Sequence, residues 1–321
     1  MSGKPGHASL SGGFTVKKGP IKDLPTSVWQ RLLNNSRATE RPFQEVLQYF
    51  VMERFLYRLS RSPCASRFIL KGALMFSVWG APRSRPTKDI DLLARMDNST
   101  DAVISVVCEI CNQPVEPDGL VFNTESVACV ATQEDAEYEG LRVTFLATIQ
   151  NARLTMRIDM GFGDVVTPAA TLAEYPTILD FPAPFLLGYN RETAVAEKFE
   201  AMVKYGHWNS RLKDFYDIWL LSREYEFDGP TLAKSVSRTF AHRKTNVDPH
   251  PLALTVSFAN DPEKQAQWKG FLRKSRLKNA PEELPKVIDD LVGFLLPIAA
   301  NAKAPDSFKL AWAPAGPWRI R

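Results

Sequence analysis

The feature that most constrains this 321-residue chain is the run Asp89-Ile90-Asp91-Leu92-Leu93-Ala94, in which acids and apolar residues alternate before the run turns apolar. Such alternation predicts a strand, and along a strand residues i and i+2 share a face with Cα atoms roughly 6.5–7 Å apart. Asp89 and Asp91 then stand side by side and can grip a divalent cation from one side. Hard ions such as Mg²⁺, with Mn²⁺ as the substitute, take oxygen ligands of this kind and keep waters that substrate phosphates replace. A lone D-x-D arises by chance at strand ends, so its weight comes from what surrounds it.

Ahead of it, Phe68-Ile69-Leu70 is a short apolar run that stops at Lys71-Gly72-Ala73. A short helix bearing Leu74, Met75, Val78 and Trp79 follows, and Gly80 and Pro82 end it. A glycine between strand and helix makes a tight turn. It also lets a phosphate approach backbone N–H groups at a positive helix end. Lys71, Gly72 and Ala73 are therefore candidate nucleotide contacts. The basic loop Arg83-Ser84-Arg85-Pro86-Thr87-Lys88 sets Arg85, Thr87 and Lys88 beside a triphosphate bound there, although solvation explains any one of these charges equally well.

Strand-like pieces recur at 127–132, 141–148 and 153–160. In the last, Leu154, Met156, Ile158 and Met160 point one way and Thr155, Arg157 and Asp159 the other. Asp159 is the natural third carboxylate, and three carboxylates on adjacent strands can hold two metals for in-line phosphoryl displacement.

Helical periodicity marks 24–60, 100–113, 191–205, 209–224, 231–241, 261–275 and 282–299. On the helix at 191–205, Lys198 interrupts the apolar stripe of Val195, Phe199 and Met202. An inward lysine either neutralises a phosphate or pairs with an acid. The helix at 209–224 is apolar almost all round, so one or both of Asp214 and Asp217 face inward, and a Lys198–Asp214 ion pair is one expected outcome.

The organisation that follows is a flexible arm over 1–22, N-terminal helices and a sheet core over 23–165, and an extended linker over 166–190 carrying Pro168, Pro176, Pro182 and Pro184. A helical domain over 191–300 and an irregular tail over 301–321 complete it. The class is α/β, a mixed α+β sheet with a helical domain closing over it. Hydrophobic residues make up 45%, enough for one large or two ordinary domains. The net charge of +4 permits a nucleic-acid partner without demanding one. Cys64, Cys108, Cys111 and Cys129 are too few for a disulfide scaffold and lack a second C-x-x-C for zinc, so they are expected as thiols. No apolar run reaches the roughly 18–20 residues a bilayer span needs, and residues 1–20 lack the apolar core of a signal peptide. A cytoplasmic protein without a membrane partner is expected.

Four stretches together resemble the AbiEii/AbiGii-type (MenT-like) nucleotidyltransferase toxin family. Phe68 to Leu74 with Arg85 to Leu92 is similar to its first motif, and Arg157-Ile158-Asp159-Met160-Gly161-Phe162-Gly163-Asp164 to its third acidic strand. Glu192 to Ala201 looks like its lysine-bearing helix and Asn209 to Ile218 like its final acidic motif, so the likeness covers roughly residues 65–222. Where the family usually has Gly-Gly or Gly-Ser, this chain has Gly72-Ala73, so a serine hydroxyl is missing while the backbone N–H groups remain.

The resemblance implies a polymerase-β-like core and metal-dependent transfer of a nucleoside monophosphate from an NTP to RNA, the tRNA 3′ end in toxic members, which blocks translation. It implies that Asp89 and Asp91 bind Mg²⁺ and that Asp159 completes the site and deprotonates the acceptor. Lys198 would hold the triphosphate, Asp214 would be an essential acid, and Asp217 would be a weaker candidate contact. It also implies a cognate antitoxin, often without a stable complex. The rival expectations are a nucleotidyltransferase or phosphotransferase of the same fold acting on a small molecule, and a non-catalytic nucleotide- or RNA-binding module.

Overall fold

The computed structural model describes residues 23–81, 85–135, 138–277 and 279–320. The arm expected over 1–22 and Arg83 of the basic loop lie outside the described residues.

Two helices come first, α1 (Leu24–Thr39) and α2 (Phe43–Arg61). The Asp23 carboxylate caps α1 by accepting the Thr26 N–H at 3.1 Å, and Pro25 sits in the first turn, where no N–H is required. The α2 stripe Val46, Leu47, Phe50 and Val51 is fully buried.

The next elements are β1 (Phe68–Lys71), α3 (Met75–Val78), β2 (Ile90–Ala94), α4 (Thr100–Cys111), β3 (Val121–Asp135), β4 (Tyr138–Ile149), β5 (Ala152–Phe162), β6 (Thr171–Glu174) and β7 (Phe185–Gly188). The strands form one seven-stranded sheet in the order β3-β4-β5-β2-β1-β7-β6. β2 runs parallel to β5 and β1 parallel to β7, while the other neighbours are antiparallel, so the sheet is mixed. β5 keeps the alternation read from its sequence: Leu154, Met156, Ile158 and Met160 are buried, and Thr155 and Arg157 are exposed. That phase puts Asp159 on the face away from α2 and α4.

The segment 166–190 is not a plain linker. It supplies β6 and β7, and β7 pairs with β1, whose end carries Lys71. The four prolines obscured this because they flank the strands instead of interrupting them. Pro184 lends its carbonyl to the Tyr175 N–H at 2.9 Å, and β6 lies at the sheet edge, where irregular flanks are tolerated.

The second half is helical: α5 (Arg191–Tyr205), α6 (Leu212–Glu224), α7 (Gly229–His242), α8 (Val256–Asn260), α9 (Pro262–Ser275) and α10 (Leu284–Asn301). They share a second apolar core built around Phe199, Phe215, Trp268, Leu291 and Phe294, and Phe76 of α3 is buried in it. The tail expected to be irregular forms β9 (Leu310–Trp312) and β10 (Trp318–Ile320), which pair with each other, and β9 also pairs with the short β8 (Phe227–Asp228). Indole anchoring explains this better than periodicity. Trp312 donates its ring N–H to the Ser222 carbonyl at 2.7 Å, and Trp318 donates to that of Phe294 at 3.0 Å.

Cys64 and Cys111 are buried, Cys108 and Cys129 are partly so, and all four are free thiols. No helix among the described residues is long and apolar enough to cross a membrane.

One charge in α2 makes stability depend on pH. Glu53 is fully buried and accepts the Ile178 N–H at 2.7 Å, and its other oxygen has no hydrogen-bond partner. Burial pushes its carboxyl from an ordinary 4.5 up to about 7. With the folded value raised, its stabilising contribution is complete below pH 4.5 and is lost as pH rises through about 7. Denaturant titrations should show about 3 kcal/mol of that loss between pH 5 and 8. Glu53→Gln should flatten the dependence, and an unchanged pH profile in that variant would assign the loss to other groups.

Candidate active site

The site grows from a row of charges written across the sheet. Lys71 of β1 faces Asp91 of β2, Asp91 faces Asp159 of β5, and Asp159 faces Arg142 of β4. Neighbouring strands lie about 4.7–4.9 Å apart, so two carboxylates are forced together in the middle of the row. Asp89, two residues before Asp91, brings the third acid to the same face.

The three acids differ in what holds them. Asp159 is gripped on both oxygens by Arg142, at 2.7 and 2.9 Å. Asp89 meets Arg157, which lies two residues before Asp159 on β5, at 3.3 Å. The Asp91 carboxylate makes no hydrogen bond or ion pair among the described residues. Desolvation pushes its carboxyl from 3.8 up to about 6, and nearby Asp159 adds to the rise while Lys213, Lys71 and Arg85 oppose it.

Gly72 shapes this acid's position. Its φ is +70°, and a Cβ built there would collide with the Asp91 carboxylate. The space that the sequence suggested for a phosphate is thus filled by a side chain from the neighbouring strand. Gly72→Ala should lose about 1–3 kcal/mol to backbone strain and also displace Asp91. Thermal melts and an Mg²⁺ titration should register both effects, and unaltered Mg²⁺ affinity would show that Asp91 has room to move.

The helical domain roofs the acids. Asn190 caps α5 by accepting the Thr193 N–H at 2.7 Å, and the helix presents Glu197 and Lys198 toward the sheet. A cavity of about 230 Å³ lies between them, lined by Lys71, Gly72, Asp91, Asp159, Glu197, Lys198 and Asp214 among others. A second lobe of about 300 Å³ is lined by Thr87, Asp89, Asp91, Arg142 and Asp159. The lobes share Arg85, Asp91, Thr132, Asp159, Arg211 and Lys213, so they form one cleft.

The cations expected to touch nucleotide meet acids instead. Lys198 ion-pairs with Asp214 at 2.7 Å and Asp217 at 2.8 Å. Burial opposes its ammonium form, but the two carboxylates outweigh that and raise its pKa. Asp214 is held far below the usual carboxylate range, because Lys198 and Arg211 outweigh the desolvation that opposes them. Arg85 clamps both oxygens of Asp217 at 3.0 Å. Lys71 turns from the acid row to Asp164 at 2.9 Å and Glu197 at 3.1 Å.

Thr87 lines the second lobe, and its backbone N–H donates to the Tyr49 hydroxyl at 3.0 Å. Lys88 is exposed and Ala73 is buried, and neither lines the cleft.

Several residues of the site were not singled out by sequence. Arg142 and Arg157 restrain two of the acids. Arg243, just past α7, donates to Asp164 at 2.9 Å and Glu200 at 3.0 Å, tying the helical domain to the loop after β5. Only strand register and the fold of α7 bring these together. Lys213 had a signal, since it adjoins Asp214 in the final acidic motif.

The donor chemistry fits a hard divalent cation: three carboxylates on one face, one of them desolvated and unpartnered beside another. Among the described residues, no three acids, histidines or cysteines converge tightly enough to hold one ion as they stand, because Arg142 and Arg157 draw two of the acids aside.

The site is thus a pair of acids set across parallel neighbours β2 and β5, in a mixed sheet roofed by helices. The chain belongs to the AbiEii family of nucleotidyl transferase toxins of type IV toxin–antitoxin systems, whose sequence model matches residues 54–290. No curated protein matches it. Among solved structures, JHP933 from Helicobacter pylori is similar at 15% identity and TM-score 0.47, over 82% of this chain and 95% of that one. A candidate nucleotidyltransferase from H. pylori is similar at 14% identity and TM-score 0.47, over 81% of this chain and 96% of that one.

Proposed function

We propose that this protein transfers a nucleoside monophosphate from an NTP to the 3′ end of tRNA in the cytoplasm, blocking translation. The observation that carries the reading is the in-register pair Asp91 and Asp159, with Asp89 on the same face, at the floor of a two-lobed cleft. The two lobes suit two substrates, a nucleotide donor and an acceptor end.

Asp89, Asp91 and Asp159 would hold Mg²⁺ or Mn²⁺, which supplies a Lewis acid that draws charge from the phosphoryl oxygens. Arg142 and Arg157 keep Asp159 and Asp89 compensated until then and must let go for the acids to turn inward. The acceptor hydroxyl oxygen bonds to the α-phosphorus, the bond to the bridging oxygen breaks, and pyrophosphate leaves with the electron pair. The hydroxyl proton passes to Asp159, which requires Arg142 to free one of its two oxygens. The cluster of Lys198, Asp214, Asp217 and Arg85 keeps α5 and α6 in place over the cleft. A cognate antitoxin, acting without a stable complex, is the proposed regulatory partner.

The test is to incubate purified protein with total tRNA, Mg²⁺ and each α-³²P-labelled NTP in turn, beside an Asp89→Ala control. Label on tRNA with one or two NTPs, absent from the control, is expected. Absence of label with every NTP would remove tRNA as the acceptor and favour a small-molecule acceptor or a binding module.

A further inference from the structure

The charges of the cleft cancel almost completely, and what is left over is informative. Lys71 meets Asp164, Arg85 meets Asp217, Arg142 meets Asp159, Lys198 and Arg211 meet Asp214, and Arg243 meets Asp164. Among the described residues lining the two lobes, Lys213 is the cation with no carboxylate at ion-pair distance, and Asp91 is the acid with no cation at ion-pair distance. Both residues line both lobes.

We propose that Lys213, and not Lys198, is the side chain that binds the polyphosphate of the nucleotide donor, while Lys198 is an internal strut between α5 and α6. The proposal rests on the nucleotidyl-transfer reading and departs from the role that the family resemblance implies for Lys198.

Lys198 is poorly suited to recruit a phosphate. Its ammonium lies between two buried carboxylates at 2.7 and 2.8 Å, so its own charge is already compensated, and a phosphate arriving there would meet two acids. Lys213 differs in each respect. It sits in the first turn of α6 with an exposed side chain, between Leu212 and Asp214, which are both buried. Its four-carbon stem and three rotatable donors can follow a phosphate chain that shifts during reaction. It lines both lobes together with Asp91, which places its charge at their junction. A donor whose α-phosphate lies over Asp91 would have its β- and γ-phosphates within reach of this ammonium. Positive charge there would offset the negative charge that the departing pyrophosphate gathers.

The experiment measures binding of inorganic tripolyphosphate with Mg²⁺ by calorimetry, which needs neither catalysis nor knowledge of the preferred base. Lys213→Ala is expected to weaken binding about tenfold or more with an unchanged melting temperature, the scale of one charge-assisted contact. Lys213→Arg should stay within a few-fold of the parent. Lys198→Gln should melt lower yet bind tripolyphosphate within a few-fold.

Parent-like binding by Lys213→Ala would overturn the proposal. So would loss of binding in Lys198→Gln at an unchanged melting temperature, or a parent protein that binds NTP but not tripolyphosphate. The label-transfer assay on the parent protein separates these failures from failure of the nucleotidyl-transfer reading, since label on tRNA would leave that reading intact.

Discussion

Asp91→Asn is expected to abolish nucleotidyl transfer, a fall of about a thousandfold or more, while melting at or above the temperature of the parent. The activity loss is what removing a carboxylate proposed to hold a charge-stabilising cation should cost, several kcal/mol of transition-state stabilisation. The stability gain follows from the same residue's environment. Asp91 is desolvated beside Asp159, and its carboxyl is pushed from 3.8 up to about 6. With the folded value raised, its stabilising contribution is present below pH 3.8 and lost as pH rises through about 6, so at neutral pH its charge opposes folding. An amide of the same shape removes that opposition, worth about 3 kcal/mol. Label transfer and thermal melts on the same preparation check both halves. A variant that is inactive and also melts several degrees lower would show that Asp91 supports the fold. By the same reasoning the parent should bind Mg²⁺ more weakly below about pH 6, where the ion must displace a proton from Asp91.

The second large effect is structural. Asp217→Ala should lower stability by ~3–5 kcal/mol, because it removes the carboxylate clamped by Arg85 and shared with Lys198 and leaves two cations under-compensated beside Asp214. Asp217 is 1% exposed, so water cannot replace what is lost. Asp217→Asn keeps the shape but not the charge and should fall between the two. Urea titrations of the three proteins give the order, and equal midpoints would mean the Arg85–Asp217 clamp does not hold in solution. Arg85 leads into the segment that carries Thr87 and Asp89, so loosening the clamp should also weaken catalysis, although Asp217 lines neither lobe.

Much of this site was readable because it rests on short-range rules. A strand of period two puts Asp89 and Asp91 on one side, and the phase of Leu154, Met156, Ile158 and Met160 puts Asp159 on the polar side of β5. Helical spacing marked Lys198 as an inward lysine and left open whether it met a phosphate or an acid, and the ion pair with Asp214 was one of the two outcomes. The prolines of 166–190 and of the tail misled for the opposite reason. Their presence argues against regular structure locally, whereas β7 is held by β1 and β9 by β8, partners distant in the chain, and β6 and β10 pair onto β7 and β9.

Sequence by itself determined the mixed α/β class, the two helical regions, the three carboxylates and the lysine that breaks an apolar stripe, because each follows from periodicity within a dozen residues. The tertiary structure alone decided which charges are already spent. Arg142 reaches Asp159 through strand register, Arg85 reaches Asp217 across 132 positions, and Lys71 and Arg243 converge on Asp164 from opposite domains. A cation's availability depends on every acid within a few ångströms of it, and those neighbours are brought together by strand pairing and domain packing that no local pattern encodes.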